Sequence, residues 1–160
     1  MTTSTHALLA ELTLPSHPRS AARARHAVGV LVEHDIEAAD RVLLLLSEAV
    51  ANAVEHTCSG HVRVVAAVDE VSGEIFCGVF DTDPCIPTPA QFTEAEGAEP
   101  AESGRGLVLI DALSDAWGHV RCRAGKWLWF RVLSEPRTTA GGRSTAPAAA
   151  RTRTRLCGAA

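Results

Sequence analysis

Two pairs of valine- and aromatic-rich runs, each pair joined by a short glycine-containing turn, limit the possible folds of this chain more than any other feature. His61 to Asp69 and Glu74 to Phe80 are separated by Glu70-Val71-Ser72-Gly73, and Trp117 to Arg123 and Lys126 to Leu133 by Ala124-Gly125. Runs of this length and composition, interrupted in this way, are the signature of antiparallel hairpins. Ala7 to Leu14, closed by Pro15, reads as a further strand. Hairpins therefore dominate over a strict β-α-β alternation, and helices are left to cover one face of a sheet.

Three helices are available. Ser16-His17-Pro18 offers an N-cap with proline in the first turn, and Ala21 to Val32 carries apolar residues at helical spacing. Arg19, Arg23 and Arg25 then crowd its polar side, either as a solvated face or as part of a partner surface. Asp35 to Asp40 reads as a polar connection, with Asp40 as N-cap of a second helix from about Arg41 to Glu55 that ends at Thr57-Cys58-Ser59-Gly60. Leu107 to Leu113 reads as a third, opened by the Gly104-Arg105-Gly106 turn. The predicted architecture is α/β of the α+β kind: a two-layer sandwich with a mostly antiparallel mixed sheet covered on one face by about three helices.

The second helix holds an anomaly. In the run Leu43-Leu44-Leu45-Leu46-Ser47-Glu48-Ala49-Val50-Ala51-Asn52-Ala53-Val54-Glu55-His56, a carboxylate and a carboxamide sit four residues apart. They project from one helix face, one turn apart, and in an apolar setting each is costly unless hydrogen-bonded. A solvated stripe is the plainer reading. Two other segments weigh against it: Val79-Phe80-Asp81-Thr82-Asp83-Pro84, where an apolar run ends in acids, and Glu102-Ser103-Gly104-Arg105-Gly106-Leu107-Val108-Leu109-Ile110, a glycine pair before a helix.

In this order the three segments resemble the N, G1 and G2 boxes of the GHKL (Bergerat-type) ATPase and kinase superfamily. With Trp117-Gly118 and Lys126-Trp127-Leu128-Trp129-Phe130, they look like the small anti-sigma-factor serine/threonine kinases and their actinobacterial ATP-binding relatives, over residues 10–133. The resemblance implies ATP and Mg²⁺ as cofactors. It makes Asn52 the metal ligand, whose amide oxygen is a donor type suited to Mg²⁺. Asp81 becomes the acceptor for the adenine amino group, a role its carboxylate can fill. Gly104, Arg105 and Gly106 become phosphate-binding residues, since glycines let backbone N–H groups approach phosphate and a helix N-terminus favours it. Glu48 becomes the general base toward a serine or threonine hydroxyl, or the group that orients water in the ATPase branch.

The segment from Asp83 to Ser103, rich in proline and glutamate, corresponds to the family's ATP lid. The pattern is departed from in places. Asp83 and Cys85 stand where the fuller G1 box has glycines, which makes the lid hinge stiffer and the site more anionic, and Val108 replaces a further glycine of the G2 box. There is no P-loop motif GxxxxGK[ST].

Composition agrees with one such domain. The chain has 160 residues, 46% of them hydrophobic, and a net charge of −4 that conceals an asymmetry. Residues 1–134 hold 10 basic and 18 acidic residues, whereas residues 135–160 hold five arginines and one glutamate. The acidic body argues against a nucleic-acid partner, which calls for clustered cations. Residues 7–134 are assigned to the ATP-binding domain and 135–160 to a basic, disordered tail.

The five cysteines show neither CxxC nor metal spacing and read as reduced thiols. No apolar stretch suggests a membrane span and no signal-peptide pattern is present, so a cytoplasmic location is expected. His56 has no chemical role beyond suiting a helix C-terminus.

The leading expectation is an ATP- and Mg²⁺-dependent serine/threonine kinase of the anti-sigma-factor type. It would bind a sigma factor or regulator, phosphorylate a small antagonist protein and possess the option of a homodimer. The alternatives are a non-catalytic ATP-binding or protein-interaction module, motivated by the altered G1 box, and a plain ATP hydrolase.

Overall fold

Burial decides where each helix lies. The computed structural model describes residues 7–33, 35–69, 71–83 and 102–134. Helix α1 (Ser20–Val32) buries Ala24, Val28 and Val32, one turn apart, and helix α2 (Ile36–His56) buries Val42, Leu45, Leu46, Ala49, Val50 and Ala53 along one stripe. Helix α3 (Glu102–Leu113) is anchored by Leu107 and Ile110. Each fully buried aliphatic side chain contributes about 1.5–3 kcal/mol.

The strands are β1 (Ala7–Pro15), β2 (His61–Asp69), β3 (Glu74–Asp81), β4 (Ala116–Cys122) and β5 (Gly125–Leu133). They form one sheet in the order β1-β2-β3-β5-β4, and each neighbouring pair is antiparallel. Both predicted hairpins are present, as is the two-layer arrangement; the described sheet has no parallel pairing, so "mixed" is corrected to antiparallel.

Period-two alternation sends Val62, Val64, Ala66 and Val68 of β2, Ile75, Cys77 and Val79 of β3, and Leu128, Phe130 and Val132 of β5 into the helix-covered layer. The opposite face carries Trp127 on Phe80, with centroids 5.3 Å apart, and Trp129 on Phe76 at 6.1 Å, so these tryptophans pack on the uncovered side. A shallow groove of about 310 Å³ lies among them, on the other side of the sheet from the residues discussed below.

Several boundaries differ from expectation. Helix α1 starts at Ser20 with no side-chain cap: Ser16 Oγ donates instead to Val54 O, and Ser20 Oγ to Pro15 O at 2.6 Å, tying the helix start to β1. Helix α2 begins at Ile36, capped by Asp35, whose Oδ1 accepts from Ala38 N at 3.0 Å; Asp40 lies inside the helix. Cys122 pairs with Gly125, so the second hairpin turns at Arg123-Ala124. Helix α3 starts at Glu102, which puts Gly104 and Gly106 inside the helix and not in a preceding turn. A glycine costs a helix only about 1 kcal/mol against alanine, less than the burial of Leu107 and Ile110 supplies. The basic tail, and residues 84–101 of the lid segment, lie outside the described residues.

Candidate functional site

The Glu48 helix carries its two polar residues to the layer where α3 packs. Glu48 and Asn52 are both half-buried, and the side chain of neither hydrogen-bonds to any described residue. Facing Glu48 is Gly106 of α3: a Cβ built there would lie 3.3 Å from Glu48 Oε2 and 3.4 Å from its Cβ. Glu48 and Gly106 are therefore in contact across the α2–α3 interface. Ser47, the residue before, is turned away; its hydroxyl donates to Leu43 O at 2.6 Å and accepts from Arg25 Nη1 at 3.1 Å.

The C-terminus of α2 is tied to the end of β3. Thr57 N caps the helix by donating to Ala53 O, Thr57 Oγ1 lies 2.9 Å from Thr82 Oγ1, and Cys58 N donates to Thr82 Oγ1 at 3.0 Å. This fixes Asp81, the neighbour of Thr82, at the same end of the molecule as the last turns of α2. Asp81 is buried on the helix side, the fourth inward residue of β3 after Ile75, Cys77 and Val79.

Its partner was not singled out in the sequence. Lys126, paired with Asp81 in the β3–β5 register, is only 4% exposed; its Nζ donates to Asp81 Oδ1 at 3.2 Å and to the Asp83 carbonyl at 2.9 Å, and lies 3.7 Å from Asp83 Oδ2. Asp81 Oδ1 also accepts from Asp83 N at 2.8 Å, while Oδ2 is bonded by none of the described residues. Burial pushes the Asp81 carboxyl above its ordinary value, and Lys126 opposes that. Alternation carried the signal: Lys126 occupies the inward series of Leu128, Phe130 and Val132, and a buried lysine needs an acid.

Gly125 admits this lysine. Its φ is +151°, and a Cβ there would strike the Asp81 carbonyl oxygen and come within 2.7 Å of Thr82 Cα. On β4, His119 feels the same cation: burial first, then Lys126, lowers its pKa to about 4, so it is neutral at neutral pH.

The donor set fits a magnesium nucleotide. Asn52 offers an amide oxygen and Glu48 a carboxylate, both unbonded by the described side chains, and Asp81 Oδ2 offers a further acceptor. Among the described residues no three His, Cys, Asp or Glu side chains cluster for a metal. An Mg²⁺ ion here would thus rely on Asn52, phosphate oxygens and water, a coordination that Mg²⁺ commonly adopts. Gly104 and Arg105 lie in the first turn of α3; the Arg105 side chain is outside the described residues. The described hydrogen bonds do not join Asp81 directly to Glu48 or Asn52.

Comparison with known proteins gives the family and the fold. The model of the histidine kinase-like ATPase domain matches residues 14–132, and the chain belongs to that family. It is 35% identical over 77 residues to the uncharacterized protein SCO4941 of Streptomyces coelicolor, a match covering 46% of this chain and 67% of that protein. Among solved structures it is similar to that of the RsbU and RsbW domains of Rv1364c from Mycobacterium tuberculosis, with a TM-score of 0.58 and 18% identity over 79% of this chain. At that identity the likeness is one of fold, and the chain spans 32% of that structure's length. Fold and family are thus those of the GHKL superfamily. No described helix is long and apolar enough to cross a membrane.

Proposed function

We propose that the chain is an ATP- and Mg²⁺-dependent serine/threonine protein kinase of the anti-sigma-factor type, acting on a small antagonist protein and regulating a sigma factor or similar regulator. The observation that carries this is the contact between Glu48 and Gly106, which sets a carboxylate with no described hydrogen-bond partner beside the glycine segment proposed to hold phosphate. The similar Mycobacterium structure, which holds an RsbW domain, supports the fold on which this reading rests.

Bound ATP and Mg²⁺ would supply the transferable phosphoryl group and neutralise its charge. Asn52 would hold the metal through its amide oxygen, Asp81 Oδ2 would accept from the adenine amine, and Gly104, Arg105 and Gly106 would surround the phosphates. Glu48 would take the proton of the incoming serine or threonine hydroxyl. Gly106 keeps the space beside Glu48 free of a Cβ, so that carboxylate can reach the acceptor.

The test is transfer of radiolabelled phosphate from ATP to proteins captured by the chain. Label on serine or threonine of a small partner, lost in Glu48→Ala while ATP still binds, is the expected result. ATP turnover with no labelled protein makes the chain a hydrolase, and tight partner capture indifferent to ATP makes it a binding module.

A further inference from the structure

Lys126 is not needed to close a core. A buried ammonium costs several kcal/mol unless it is fully paired, and an apolar residue at the same place would continue the series Leu128, Phe130, Val132 without that cost. Among the described residues its bonds go to one short segment. They reach Asp81 Oδ1 at 3.2 Å, Asp83 O at 2.9 Å and, as an ion pair, Asp83 Oδ2 at 3.7 Å. The lysine therefore clamps the end of β3 and the first residues of the segment that follows.

We propose that Lys126 is a positioning residue for base recognition: it holds one oxygen of Asp81 in a fixed charge-assisted bond, so that Oδ2 remains an ionised acceptor for the exocyclic amine of an adenine nucleotide. This rests on the nucleotide reading above. The physical reason is the state of Asp81 without the lysine. Burial and the like charge of Asp83 both raise its pKa, and Lys126 is the cation opposing them. A carboxylate accepts at both oxygens, whereas a protonated carboxyl turns one of them into a hydroxyl donor and leaves only an uncharged, weaker acceptor for the adenine amine.

The other groups around Asp81 do not replace the lysine. From β4, His119 is neutral above about pH 4, partly because of Lys126 itself. From α2, packed on β3, the ionisable residues at its C-terminal end are half-buried Glu48 and exposed Glu55 and His56, none of which contributes to the Asp81 shift. From β2, Arg63 is on the opposite face, paired with Glu11 at 2.9 Å and stacked over Trp127. Arg121, the cross-strand neighbour of Lys126 on β4, is exposed and does not contribute to the Asp81 shift, so among the described residues Lys126 is the one cation acting on Asp81.

The experiment uses the full chain as wild type, Lys126→Met and Lys126→Arg, with ATP as probe. Two quantities are followed between about pH 5.5 and 8.5: ATP affinity by calorimetry, and the titration of the Asp81 carboxyl carbon by NMR without nucleotide. The wild type and Lys126→Arg are expected to bind ATP with little dependence on pH. Lys126→Met is expected to bind about tenfold or more weakly at the acid end and to recover as pH rises, with Asp81 titrating higher than in the wild type. Lys126→Gln, which keeps donors without charge, gives the same shift and serves if the methionine variant does not fold.

An unchanged Asp81 titration in the neutral variants, with ATP still bound by the wild type, overturns the role of Lys126 alone. So does a loss of affinity equal at every pH, the result of a merely structural lysine. A wild type that binds no ATP at any pH overturns the nucleotide reading, and this inference with it.

Discussion

Gly106 of α3 lies against Glu48 of α2, so closely that an added Cβ would come within 3.3 Å of the carboxylate. Contacts that tight are met by a shift of a few tenths of an ångström in the neighbour. Gly106→Ala adds helix propensity of about 0.5–1 kcal/mol and loses part of it to crowding, leaving stability within about 1 kcal/mol of the wild type. If Glu48 is the general base proposed above, its displacement is expected to lower phosphoryl transfer by about tenfold or more. Thermal melting and labelled-phosphate transfer check the two halves.

Asp81→Asn leaves an amide oxygen to accept from Lys126 Nζ but removes the negative charge that sits 3.2 Å from this buried ammonium. Asp83 still faces Lys126 at 3.7 Å, so the loss is expected at the lower end of what breaking a buried pair costs, about 3 kcal/mol. The double variant Asp81→Asn/Lys126→Met recovers most of it. Urea unfolding of the four proteins gives the coupling directly, and no recovery in the double variant means the pair is not the cause.

His119 supplies a pH dependence of definite sign. Its folded-state pKa, about 4, is below the ordinary 6.5. The unfolded chain therefore takes up this proton first as pH falls. Stability tied to neutral His119 is complete above about pH 6.5 and is lost as pH falls from there through about 4, by up to about 3 kcal/mol. His119→Leu should flatten that acid limb in urea titrations at successive pH values.

Gly125→Ala places a Cβ against the Asp81 carbonyl and within 2.7 Å of Thr82 Cα, at a φ of +151°. Both neighbours are backbone, so neither can move cheaply. A destabilisation on the order of 3 kcal/mol is expected in urea unfolding, together with weaker ATP binding if Asp81 reads the base as proposed, because the displaced residues are Asp81 itself and its neighbour Thr82.

The hairpins were legible because alternation survives in each strand: Val62, Val64, Ala66 and Val68 point inward, and a period of two leaves no other assignment. Helix ends were less so. Ile36 is 77% exposed and the first turns hold only the small buried Ala38 and Ala39 among Glu37 and Asp40, so Asp40 looked like the cap that Asp35 is. Gly104 and Gly106 read as a turn because glycine normally interrupts helices, yet Leu107 and Ile110 hold α3 from the far side. In the site, Glu48 and Gly106 were each singled out by their motifs, but their contact across α2 and α3 became visible only in the fold. Lys126 was missed because a single lysine at a strand start looks ordinary until the face it occupies is known.

Mg²⁺-dependent ATP binding by calorimetry, on the wild type and on Asn52→Ala, tests the central claim most directly. Asn52 is half-buried without a described side-chain bond, so its loss disturbs little else. The account predicts ATP binding by the wild type that strengthens with Mg²⁺, and loss of the Mg²⁺ effect in Asn52→Ala. A wild type with no ATP binding, or an Asn52→Ala variant with the Mg²⁺ effect intact, would contradict it.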